Sequence, residues 1–293
     1  MQSNDVKEQI KSIIKTELSF LMERILRDFK VNYKKKVSNW TLADFDSTII
    51  AHMVFVSSYE SKSGNMFQRI ATNVAKIKYG EENVPMVIKG RGVSDQEFKD
   101  FQQSYNGQAQ IVISKVSLRD CQGFISNFRE QNKAQGSGRN RIEPTINQTT
   151  INKINKEDFR MIDGINTKPI DLIFFNSEDK TYYMMEIKAG GGLDSSNAPA
   201  NVSKMLTEYA LLGKQNAKLF FSTLYNFNGE GNVWTGQVKK YLSNEMLLIG
   251  KDFWKIVLPK EISFEEFEKI YHNVTKELGV NEKITNLIKE VED

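Results

Sequence analysis

Asp171, Glu186 and Lys188 have the types and the spacing to do chemistry together. Pro169-Ile170-Asp171 leads into the apolar run IDLIFF, and Glu186-Ile187-Lys188 closes a second run, TYYMMEIKA; fourteen residues lie between Asp171 and Glu186. Each run reads as a strand, with NSEDK as the turn between them. Side chains alternate along a strand, so Glu186 and Lys188 share a face. An antiparallel hairpin can set Asp171 opposite them. Carboxylates among apolar strand residues are costly unless paired or metal-bound. Two together suit a hard cation such as magnesium. Such an ion polarises a phosphoryl oxygen and lowers the pKa of a bound water. An ammonium beside that water can orient it or stabilise developing charge. A Glu-x-Lys pair also occurs as ordinary surface charge; the apolar flanks set this one apart.

A hairpin, a helix and a further strand must position these groups. After the glycine break at Gly190-Gly191-Gly192, Asn197 can cap a helix with Pro199 in its early turn, running to Gly213. Lys218–Leu224 reads as a strand, residues 246–258 as another strand or two, and residues 263–278 as a helix with Phe264, Phe267, Ile270 and Tyr271 on one side. This order is of the α/β class. Upstream, Ile10, Ile14, Leu18, Leu21 and Ile25 recur at helical spacing and predict a helix over 5–30. A second helix is expected over 57–79, strands over 84–89 and 109–116, and a helix over 118–131. Residues 134–141, AQGSGRNR, read as a flexible basic loop.

Composition narrows the classes. The chain has 293 residues, 40% hydrophobic and 26% charged, which fits a soluble globular protein with a substantial core. Cys121 is the only cysteine and His52 and His272 the only histidines, which argues against disulfides, Cys-ligated zinc and a histidine triad. No apolar run reaches a membrane-spanning length, and the first residues are polar and mixed in charge; the expected compartment is the cytoplasm. Residues 51–150 carry 13 Lys/Arg against 9 Asp/Glu, and residues 151–210 carry 7 against 9. A basic region followed by an acidic one suits an anionic ligand facing a cation site.

The PID…EIK pattern, with its hairpin and following helix, resembles the PD-(D/E)xK nuclease signature. The run EIKAGGGLDSSNAPANVSKML further resembles type II restriction endonucleases of the TdeIII-like group, which act on GGNCC. The resemblance covers residues 169–213, and an isoleucine stands between Pro169 and Asp171 where the signature has them adjacent. It implies a mixed sheet flanked by helices in residues 151–293. A mainly helical DNA-binding region is expected in 1–150, with one core helix near 57–79. It further implies Asp171 and Glu186 as magnesium ligands and Lys188 as the catalytic lysine. The implied reaction is magnesium-dependent hydrolysis of double-stranded DNA at a short palindromic GC-rich site, leaving 5′-phosphate ends. A palindromic target implies a homodimer. A cognate methyltransferase would act on the same site without needing to bind.

In nucleases of this kind a helix ahead of the core carries an extra acid toward the metal. Glu60 is that candidate, its alternative being a solvated glutamate in a helix's first turn. Asp163 is another acid near the core, in an ordinary Asp-Gly turn pattern. Lys62, Lys89, Arg91, Arg139, Arg141 and Lys204 are the candidate DNA contacts, arginine being the best bidentate reader of guanine. The alternatives are a nonspecific or repair-type nuclease of the same superfamily, a catalytically silent DNA-binding module, or a structural protein.

Overall fold

A computed structural model describes residues 3–190, 193–214 and 216–290. The chain divides into two units. One joins both chain ends, residues 1–77 and 258–293; the other is residues 78–257. The two units meet in sequence after residues 77 and 257.

The first unit is helical. It opens with α1 (Ser3–Val37) and α2 (Ser47–Tyr79). Both are longer than the expected 5–30 and 57–79. The extension of α1 carries Lys34, Lys35 and Lys36 in its last turn, where the helix dipole favours cations. The start of α2 is set by Asp46, whose Oδ1 accepts from Thr48 N at 2.8 Å.

The second unit is α/β. In chain order it contains β1 (Val87–Lys89), α3 (Asp95–Ser104), β2 (Gln110–Val116), α4 (Leu118–Asn132), α5 (Asn152–Lys156), β3 (Met161–Ile170), β4 (Leu172–Asn176), β5 (Thr181–Lys188), α6 (Asn197–Leu212), β6 (Ala217–Thr223), β7 (Leu247–Ile249) and α7 (Lys251–Val257). The chain then returns to the first unit with α8 (Phe264–Glu277) and α9 (Val280–Lys289). Two mixed sheets form, ordered β1-β2-β3 and β4-β5-β6-β7. The expected α/β class with a mainly helical N-terminal region is what the chain adopts.

Two expectations need correction. Residues 246–258 hold a single short strand, β7, and then a helix. Gly250, at φ 55°, turns the chain, and α7 buries Phe253, Trp254 and Val257 on one side. The sequence also gives no sign of β3 ahead of Pro169. Only Ile170 in it is buried, so it lacks the apolar alternation that marks a strand, yet it pairs antiparallel with β2 from Gln110↔Ile170 onward.

The expected hairpin is present, with Leu172↔Met185 through Asn176↔Thr181 in register. Strand β5 also pairs parallel to β6, so it lies inside its sheet. Helix α6 packs against α4 and against β2, β5 and β6. Its Val202, Met205, Leu206, Tyr209, Ala210 and Leu211 are buried. It ends at Gly213 in a left-handed cap, φ 61°. Of the glycine break ahead of α6, Gly191 and Gly192 lie outside the described residues.

Candidate active site

Asp171 occupies the single residue between β3 and β4, where the chain leaves one sheet and enters the other. Gln110 fixes that point. Its side chain donates to Ile173 O at 2.7 Å and accepts from Ile173 N at 2.9 Å, standing in for a strand neighbour. Gln110 is buried, and both ends of its amide are satisfied. The Asp171 carboxylate is held in turn from β5, where Ile187 N donates to Oδ2 at 2.8 Å.

The three expected groups meet at this end of β5. Glu186 is 1% exposed. Lys188 Nζ lies 2.6 Å from Glu186 Oε1, an ion pair. From α6, Lys204 Nζ reaches 2.6 Å from Glu186 Oε2 and 3.3 Å from Asp171 Oδ1. One turn further along α6, Glu208 Oε1 stands 3.7 Å from the same ammonium. Three acids and two lysines thus share one site.

Burial sets the electrostatics. It pushes the Glu186 carboxyl above its ordinary range, and the Asp171 charge adds to the push; Lys188 and Lys204 oppose it. Glu208 is pushed further, by burial first, then by Glu186 and Asp171, against Lys204 and Lys168. Burial alone would lower the Lys204 ammonium. The three surrounding carboxylates outweigh it and hold the group above the usual lysine range.

A divalent cation fits this donor set. Asp171 and Glu186 present hard oxygens that converge on the Lys204 ammonium, and the remaining Glu186 oxygen, Oε1, faces the Lys188 ammonium, so the oxygens of both carboxylates are gathered around positive charge. Among the described residues no group of three or more His, Cys, Asp or Glu is placed to hold a metal. Two carboxylates with water and phosphate oxygens completing the shell is the usual magnesium arrangement.

The other predicted residues are placed as follows. Lys204 is in the site. Arg91 is turned inward: Nη1 and Nη2 donate to Glu157 O at 2.8 Å and Ile154 O at 2.9 Å, and its guanidinium lies over Phe159. Its neighbour Gly90 is required for close packing, because a Cβ there would come 2.4 Å from Leu211 O. Lys89 pairs with Asp95, and Arg141 with Glu143. Arg139 is exposed, with no ion-pair partner among the described residues. Asp163 is exposed on β3. In the helical unit, Lys62 pairs with Asp28 at 3.0 Å, and Glu60 is exposed on α2.

Sequence reasoning missed Glu208 and Gln110. Glu208 had a signal, the i,i+4 spacing from Lys204 on the helix that follows the hairpin. Gln110 had none, since its partner lies 63 residues away.

A family model described as "Type II restriction endonuclease, HinfI" matches residues 3–275 of the chain. No curated protein and no solved structure matches it.

Proposed function

The chain belongs to the HinfI family of type II restriction endonucleases, which are site-specific deoxyribonucleases, and on that premise we propose that Asp171, Glu186 and Lys188 hydrolyse the DNA phosphodiester. The observation that carries the reading is the meeting of both carboxylates with two ammonium groups at one end of β5. Asp171 and Glu186 would hold magnesium, Asp171 being oriented by the Ile187 N–H. When bound, the ion supplies a polarised phosphoryl oxygen and a more acidic water. Lys188 Nζ, its side chain 28% exposed, orients the attacking water and offsets charge on the phosphate.

The target in this reading is short, palindromic and GC-rich, GGNCC-like. Support comes from the resemblance of residues 186–206 and from the exposed Arg139, a residue type suited to guanine. A two-fold homodimer, each protomer cutting one strand, follows from the palindrome; the 5′-phosphate ends are what the nuclease resemblance implies. Glu60 enters as the expected third acid. Its test is Glu60→Gln, which should slow cleavage at least about tenfold.

Plasmid incubated with the protein and magnesium tests the whole reading. Discrete fragments whose sequenced ends share one palindrome support it. A smear means a nonspecific nuclease, and DNA retention without cleavage means a silent binding module. Chelation should abolish cutting. Calcium, larger and looser in its geometry, should permit binding with little cleavage.

A further inference from the structure

The proposed chemistry leaves Lys204 without a task, although its ammonium touches both carboxylates. It lies 2.6 Å from Glu186 Oε2 and 3.3 Å from Asp171 Oδ1. A divalent cation binding those same oxygens must displace it, because two positive charges cannot share the position. Glu208 offers the ammonium somewhere to go. Its carboxylate is 3.7 Å away, one helical turn along α6. The residue is 1% exposed, and its Oε1 is buried with no hydrogen-bond donor. A buried acceptor left unused is costly, and an approaching ammonium would satisfy it. A lysine turns on a flexible four-carbon stem, so Nζ can pass from one acid to the other while α6 stays still.

We propose that Lys204 is a built-in counter-ion of the Asp171–Glu186 pair, competing with the divalent cation, and that Glu208 receives its ammonium when the cation binds. This rests on the proposed assignment of that pair as the cation site. Lys204 then keeps two close carboxylates compatible with folding, and it raises the cation concentration at which the site loads. Glu208 lowers that concentration by giving the displaced ammonium a partner.

Calcium binding to the full-length protein without DNA, followed by titration calorimetry, tests this. The proteins are wild type, Asp171→Asn, Lys204→Met, Glu208→Gln and the Lys204→Met/Glu208→Gln double variant. Lys204→Met should bind calcium at least about tenfold more tightly than wild type. Glu208→Gln should bind it more weakly. In the double variant the Glu208 effect should vanish, since no ammonium remains to be received. In chelator, Lys204→Met should melt below wild type, and calcium should restore it by more than it raises wild type. Glu208→Gln keeps the lysine and the shape of the side chain, so it remains informative if Lys204→Met folds only with calcium. Lys204→Met binding no more tightly overturns the counter-ion role. A Glu208→Gln loss that persists in the double variant overturns the relay, because the acid then acts on the ion through its own charge. Calcium uptake unchanged in Asp171→Asn removes the cation site itself, and with it the inference. Uptake abolished in Asp171→Asn, with no gain in Lys204→Met, removes the inference alone.

Discussion

Asp171 and Glu186 are held differently, so their substitutions should behave differently. Asp171 accepts one backbone N–H through Oδ2. An asparagine oxygen can keep that bond, so Asp171→Asn should fold normally. Its cleavage should fall at least about a hundredfold, the usual cost of one lost electrostatic group at a reacting centre. Glu186 is buried between Lys188 and Lys204. Removing it leaves two ammonium groups facing each other beside a cavity, so Glu186→Ala should lose stability as well as activity. Lys188→Ala should lose cleavage while retaining DNA binding in calcium, as measured by filter retention. Lys188→Ala cutting plasmid at the wild-type rate would take that lysine out of the chemistry. The basic residues separate by their present partners. Arg139 is exposed, whereas Arg141 is drawn to Glu143 and to Lys239 O. Each phosphate contact contributes about 0.9 to the slope of log affinity against log salt. Arg139→Ala should reduce the slope by about that amount, and Arg141→Ala by less. Arg91→Ala should leave the slope unchanged and lower the melting temperature, because its donors hold the carbonyls of Ile154 and Glu157.

At the scale of elements, what could be read from the sequence follows how each element is stabilised. The β4–β5 hairpin, α6 and β6 are buried and carry continuous apolar runs, so periodicity finds them. Strand β3 buries only Ile170 and pairs with one neighbour, β2; its pairing, not its side chains, makes it a strand. Likewise Asp171 is recognisable as an acid near a strand, but its place at the switch between sheets depends on Gln110, which nothing local announces. Helix α3 shows a local code working fully. Ser94 caps it by accepting from Glu97 N at 3.2 Å, while Glu97 accepts from Ser94 N at 2.9 Å. Glu97 also pairs with Lys115 at 2.6 Å. The Lys115 contact first, then the Ser94 backbone and side chain, lower the Glu97 carboxyl to about 2. A depressed carboxyl stabilises the fold above the ordinary carboxylate range and loses that contribution as pH falls toward about 2. Glu97→Gln should therefore lower the melting temperature at neutral pH, and the gap from wild type should narrow on acidification. Ser94→Ala should cost about 1 kcal/mol. A gap that stays constant with pH would mean the Glu97 charge contributes nothing.

Across the whole molecule, the helical unit is assembled from residues that no local reading could join. Tyr59 and Tyr271 share a hydroxyl hydrogen bond at 3.0 Å across 212 residues of sequence. Near the start of α1, Lys7 pairs with Glu266 and Lys11 with Glu277. Phe29, Ile50, Ala51 and Val54 pack with Leu287 and Ile288 from α9. The amphipathic pattern of α1 shows that it must bury a face, but not that the chain's last segment covers part of it. Removing residues 258–293 should therefore uncover that face. The exposed ion pairs are worth about 0–1 kcal/mol each. The buried side chains lost, Phe267, Val274, Leu287 and Ile288 among them, contribute roughly 1.5–3 kcal/mol apiece. The apolar loss dominates, so the consequence should be local unfolding of the helical unit rather than weaker surface charge pairing. Amide hydrogen exchange on the truncated chain should show α1 and α2 losing protection, while β4, β5 and β6, inside residues 78–257, keep theirs. Removing only 280–293 should have a smaller effect, centred on Phe29, Ile50 and Val54, because α8 still covers its part of α1. Protection of α1 and α2 that survives the longer deletion would show that the two N-terminal helices bury their own faces, and that the chain's end is an addition to the helical unit rather than part of its core.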